Sequence, residues 1–151
     1  MLEDEQSLAR RAESGVPVSV QVKDDGPSTD VHLAVRLPGG RVISAEVDAG
    51  SDQLILNRAL AATAGVDLGR PDVRKVEGQD ETGHAFARYF TALRGDLSLA
   101  DAPQIRQPDP DVMFQEIIYD GLVGDRFLRN FIVTYDLPRS RMIFAPPPAA
   151  P

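Results

Sequence analysis

The chain has no cysteine, only two histidines and no apolar run of membrane-spanning length. Without cysteine there are no disulfides, no thiolate metal sites and no cysteine nucleophile. The compartment stays open, because cytosolic and secreted proteins alike can lack cysteine. Neither His32 nor His84 has a second ligand at metal-site spacing such as His-x-x-x-His. Both read as ordinary surface or strand residues, so no metal and no other cofactor is expected. A spanning helix needs about 20 consecutive apolar residues, and none is present, so no membrane span is expected. Basic residues are outnumbered: 16 Lys and Arg against 23 Asp and Glu give a net charge of -7 and a pI near 4.7. A phosphate backbone would be repelled, and Arg10-Arg11 is too small a basic cluster to reverse that. Nucleic acid is therefore not an expected partner. The opening residues Met1-Leu2-Glu3-Asp4-Glu5 carry neither the basic segment nor the apolar stretch of a secretory leader. A processed chain would read the same way.

What is present fits one globular domain. The 151 residues, 42% apolar with a mean hydropathy of -0.20, suffice for a sizeable core. Residues 1–15 read as a polar arm or a short helix stopped at Gly15, 16–144 as the domain, and 145–151 as a Pro-rich, extended or disordered tail. Apolar residues alternate with a period of two over 16–22, 31–37 and 42–47, the signature of half-buried strands. Pro38-Gly39-Gly40 is a hairpin turn between the last two. Asn57 caps an expected helix over 58–64, with Gly65 as its stop. Residues 72–94 read as two strands around the polar tip Gly78-Gln79-Asp80-Glu81-Thr82-Gly83. Pro103, Pro108 and Pro110 mark 103–111 as a loop, and 116–119 reads as a strand. A further one or two helical turns are expected over 125–130, then a hairpin over 131–144. No internal repeat is evident. Many short strands with glycine-rich turns and little helix predict a mainly β barrel or sandwich.

Two short motifs carry the chemistry. Val47-Asp48-Ala49-Gly50-Ser51 closes the third alternating strand. An Asp there can be mounted on a tight loop: Gly50 permits backbone angles that a Cβ forbids, and the Ser51 hydroxyl can orient the carboxylate. These residue types also make plain turns. The second motif is Asp120-Gly121-Leu122-Val123-Gly124-Asp125-Arg126-Phe127-Leu128. Asp120 and Asp125 read as a turn residue and a helix N-terminal acid.

In this order, with the 72–94 hairpin between them, the motifs resemble those of a retropepsin-like aspartic protease domain of bacterial type. The likeness runs over about residues 31–144. It implies a closed, mainly β acid-protease barrel or lobe with a flap hairpin and one or two short helices. Asp48 would be the catalytic residue, supported by Ala49, Gly50 and Ser51, with Leu122, Val123 and Gly124 as a core loop. The tip Gly78, Gln79, Asp80, Glu81, Thr82 and Gly83 would be the flap. Two such aspartates share a proton across a twofold or pseudo-twofold axis, because like charges so close resist joint ionisation. One carboxylate activates a water and the other protonates the scissile carbonyl oxygen. A single Asp loop in the chain implies a homodimer or a second lobe as partner, and a peptide or protein as substrate.

One residue departs from the family pattern. Ala49 stands where a Thr is usual, and the hydrogen bonds of that hydroxyl to the partner lobe are missing, a loss of roughly 1–3 kcal/mol. A catalytically inactive binding or dimerisation module of the same fold is the alternative reading. An unrelated small β-barrel ligand binder requires both motifs to be coincidental.

Overall fold

The structure, a computed structural model, describes residues 4–147. Most of the expected tail lies outside the described residues. Helix α1 spans Glu5–Ser14: the Asp4 carboxylate caps it by accepting from the Ser7 backbone N–H at 2.7 Å, and the Gly15 N–H closes it on Arg11 O. The alternating segments then become β1 (Val16–Asp24), β2 (Thr29–Arg36) and β3 (Val42–Val47). Val31, Leu33, Val35, Ile43 and Ala45 point inward, while Asp30, Ser44 and Glu46 take the opposite face, as the period of two requires.

Next come β4 (Leu54–Asn57), β5 (Arg74–Gln79), β6 (Ala85–Ala92), β7 (Asp96–Leu99), β8 (Arg106–Pro108), β9 (Asp111–Gln115) and β10 (Gly121–Val123). Helix α2 (Asp125–Leu128) and the hairpin of β11 (Ile132–Asp136) and β12 (Arg141–Ala145) are the last elements of the described residues. The strand path is β11-β12-β1-β2-β3-β10-β4-β9-β6-β5, with β7 and β8 attached beside β2.

The architecture is mainly β as expected, but the sheet is not closed. Its path ends at β11 and β5, which have no second strand partner among the described residues. Within it β1 changes partners: its residues 16–19 pair with β12 and its residues 20–24 pair with β2. This strand turns a corner between a small terminal sheet and the main one, so the core lies between two layers. Leu33, Leu56, Leu97, Leu99, Phe114, Val123, Met142 and Phe144 fill it.

Three local expectations are corrected. The 58–64 helix is a single 3-10 turn, Arg58–Leu60, followed by turns to Gly65 at φ +75°. Its cap is as expected, with Asn57 Oδ1 accepting from the Ala59 N–H at 3.0 Å. The expected 103–111 loop contains β8 and the start of β9. The strand expected over 116–119 lies instead at 111–115, where Val112 and Phe114 alternate inward. Adjacent apolar residues Ile117 and Ile118 cannot both face one side of a strand. Ile118 is 90% exposed, and the Asn57 amide donates to Ile117 O and Tyr119 O at 2.7 and 3.2 Å in place of a ladder.

Candidate functional site

Strand β3 delivers Asp48 to a loop braced by its neighbours. The Asp48 N–H donates to Val123 O at 3.0 Å, which ties the loop's first residue to β10. Further along, the Asp125 and Arg126 N–H groups donate to Ser51 O and Asp52 O at 2.7 and 3.1 Å. The two motifs, distant in sequence, thus meet backbone to backbone. Gly124 makes the approach possible: a Cβ there would lie 2.4 Å from Gln53 O and 2.5 Å from Ser51 O. A side-chain clamp lies beside it, with Arg126 donating to Asp52 and Asp111 at 2.8 Å each.

Within the loop, Asp48 is half-buried and its Oδ1 accepts from the Gly50 N–H at 2.9 Å. Two expectations change here. Gly50 is not at positive φ; what it allows is proximity, since a Cβ would sit 3.2 Å from Asp48 Oδ1. The Ser51 hydroxyl donates to Gln53 O at 3.3 Å and not to the carboxylate. Ala49 is exposed at the loop's crest. Leu122 is half-buried on the outward face of β10, while Val123 points into the core at 0% exposure.

The outward face of the sheet continues from this point. Glu46 on β3 lies opposite Leu122, Leu122 opposite Ile55, Ile55 opposite Met113, and Met113 opposite Phe90. Hairpin β5–β6 borders this row and carries Arg74 over the Phe90 ring at 4.1 Å and Arg88 over Phe86 at 4.5 Å. Its tip is organised by Asp80, whose Oδ1 accepts from the Thr82 hydroxyl and N–H and from the His84 N–H at 2.7–3.0 Å. Those bonds, the Thr82 hydroxyl first, hold the Asp80 carboxyl below its ordinary range. Gly78 is half-buried, whereas Gln79, Glu81, Thr82 and Gly83 are exposed.

Glu46, His32 and Tyr119 were not singled out by sequence reasoning as site residues. Glu46 is half-buried, two residues before Asp48. Burial pushes its carboxyl up, and the charges of Asp30 and Asp48 push the same way. His32, its cross-strand partner, is the strand residue of the two readings, buried at 2% exposure. Burial lowers the imidazole's affinity for a proton, and its Nδ1 lies 3.4 Å from the Ser44 hydroxyl. The Tyr119 ring packs edge-on against it at 5.6 Å. The register of β2 on β3 pairs His32 with Glu46, the segment between β9 and β10 lays Tyr119 on His32, and no local spacing signals the group. Among the described residues no group of three His, Asp or Glu side chains is placed to hold a metal ion, and no helix is long and apolar enough to cross a membrane.

No protein-family model and no curated protein matches the sequence. Among solved structures, the chain is similar to a retropepsin-like aspartic protease from Rickettsia conorii. The TM-score is 0.60 over 85% of this chain and 87% of that one, at 14% identity. A likeness at that identity concerns architecture. The fold is that of the retropepsin-like aspartic proteases.

Proposed function

We propose that the chain is an aspartic endopeptidase that works as a homodimer, or with a second lobe, through a dyad of which Asp48 is one half. The observation that carries this reading is the mount of Asp48. It is a half-exposed carboxylate at the end of β3, oriented by the Gly50 N–H and anchored to Val123, within a fold shared with a protease. One Asp48 would take a proton from a water as it attacks the scissile carbonyl. The other would give its proton to the carbonyl oxygen. Collapse of that adduct breaks the C–N bond, with a proton passed to the leaving amine. Hairpin β5–β6, bordering the outward face, would close over an extended peptide as a flap.

The test is pepstatin-sensitive cleavage of a mixed peptide pool, with activity per chain that rises with protein concentration until dimers saturate. Asp48→Asn is nearly isosteric and is expected to lower kcat by ~10^4 or more while leaving the melting temperature unchanged. Normal activity in that variant would remove Asp48 from the mechanism. Ala49 favours a second reading, a binding or dimerisation module that retains the fold. Absence of cleavage by a demonstrated dimer at every acidic pH would select it.

A further inference from the structure

We infer that the face beside Asp48 selects a Lys or Arg side chain of the peptide, held between the Glu46 carboxylate and the Tyr119 ring. This deepens the protease reading above and rests on it. At ~3.3 Å per residue, Glu46 and Asp48 stand about 7 Å apart along extended chain. The selected side chain therefore belongs to a residue within about two of the scissile bond.

The surroundings of Glu46 carry the inference. It is the one ionisable member of the row that runs on through Leu122, Ile55, Met113 and Phe90. A peptide laid across that row would take the Glu46 carboxylate out of water. An unpaired carboxylate is costly to bury. Among the described residues no Lys or Arg forms an ion pair with Glu46, and no hydrogen-bond donor serves it. The charges that act on it most strongly, Asp30 and Asp48, are of its own sign, and Lys23 opposes them less. The missing cation is supplied by the ligand. Glu46 bonds to nothing that holds the fold, so architecture alone gives it no role.

Two further features fit a long basic side chain. The Tyr119 ring packs at 5.6 Å on His32, the residue directly opposite Glu46 across the β2–β3 pair, and the Glu46 charge hinders ionisation of its phenol. A carboxylate beside an aromatic ring suits ammonium and guanidinium groups alike. A groove of about 410 Å³ runs along the outer side of β1–β3, its wall including Ser44, next to Glu46 on the same face, and Asp101 beyond. His32 forms part of its floor, and the His32 Nε2 has no hydrogen-bond partner despite being buried. The groove thus offers depth, a second carboxylate and an unsatisfied ring nitrogen.

The experiment uses the Asp48→Asn protein, so that peptides are bound without being consumed. Fluorescent extended peptides differ at one walked position that holds Arg, its uncharged isostere citrulline, or Leu. At one position the Arg peptide is expected to bind about tenfold tighter than the citrulline peptide. Adding Glu46→Gln should abolish that preference, with an unchanged melting temperature as the folding control. Adding Tyr119→Leu should reduce it about threefold. Equal binding of Arg and citrulline at every position, or no peptide binding at all, overturns the inference. So does Glu46→Gln weakening self-association in sedimentation instead, because a cation of a second copy then fills the site. Cleavage of the same peptides by the wild type separates the two claims. Equal cleavage of Arg and Leu peptides would sink the selectivity and keep the protease. Selective binding by Asp48→Asn with no cleavage by the wild type would do the reverse.

Discussion

The crossing of the Asp48 loop with Gly124 and the tip of hairpin β5–β6 are built on opposite principles. At the crossing, backbone groups distant in sequence bond to each other: Asp48 to Val123, Ser51 to Asp125, Asp52 to Arg126. No methyl group fits between them. At the tip, the side-chain bonds are local: Asp80 accepts from residues no more than four positions away, and the Thr82 hydroxyl meets His84 Nδ1. A Cβ at Gly83 would meet nothing. On the proposed protease reading, the carboxylate that must be held in place sits on the first kind of structure, and the segment proposed to open and close is made from the second kind.

Adding a methyl group to each region breaks the comparison most severely. Gly124→Ala places a Cβ against two carbonyl oxygens that belong to hydrogen-bonded backbone and cannot step aside. The expected cost is about 3 kcal/mol, at the upper end of overpacking, read as a lower urea midpoint. Gly83→Ala meets open space but sits at φ +84°, which costs roughly 1 kcal/mol. Equal midpoints for the two variants would mean that the crossing is pliable and that Asp48 is not rigidly mounted.

Amide exchange sharpens the same contrast without a mutation. Val47 and Val123 amides in the crossing are expected to exchange ~100-fold more slowly than those of residues 80–84, because opening the crossing requires sub-global unfolding and opening the tip does not. A peptide-like inhibitor should slow the tip and leave the crossing unchanged. Tip exchange as slow as that of β3 in the free protein would contradict a mobile flap.

How much of this was legible in the sequence follows from the range of each interaction. Alternation over 16–22, 31–37 and 42–47 is a local consequence of burying one face, and those strands formed where expected. The Asn57 cap and the Gly65 stop are local too. That the sheet stays open was not legible, because strand partnering is long-range: β1 alone passes midway from β12 to β2, and β11 and β5 are left as edges. The strand at 111–115 was missed because Pro108 and Pro110 stand beside it, and an edge-like composition hid a strand that pairs on both sides. In the proposed site, Asp48 was singled out by its motif. Glu46 was not, because a Glu at an outward strand position is usually only solvated, and its isolation from cations emerges only once the sheet is assembled. The expected bond from Ser51 to the carboxylate failed for a similar reason. Which acceptor a hydroxyl finds is decided by a turn geometry that residue types do not specify.

The smallest effect expected is at Asp80, and it tests whether the tip is held by a charge or by shape alone. The Asp80 carboxyl is held below its ordinary value by bonds from the Thr82 hydroxyl and from the His84 and Thr82 N–H groups. A carboxyl whose folded pKa is depressed contributes stability that is present above its unfolded value of about 3.9 and is lost as pH falls through the folded value. The tip should therefore be fully organised at neutral and mildly acidic pH, and should loosen only below about 3.9. Asp80→Asn keeps the shape of the acceptor and removes its charge. The expected outcome is an urea midpoint unchanged within error, faster exchange confined to residues 80–84, and loss of the pH dependence of that exchange below about 4. If tip exchange in the wild type were flat from pH 3 to 7 once corrected for intrinsic rates, the charge would play no part and the turn would be held by Gly83 and the β5–β6 ladder. If Asp80→Asn instead lowered the midpoint as far as Gly124→Ala does, the tip would belong to the cooperative core, and the division between a rigid mount and a mobile hairpin would fail.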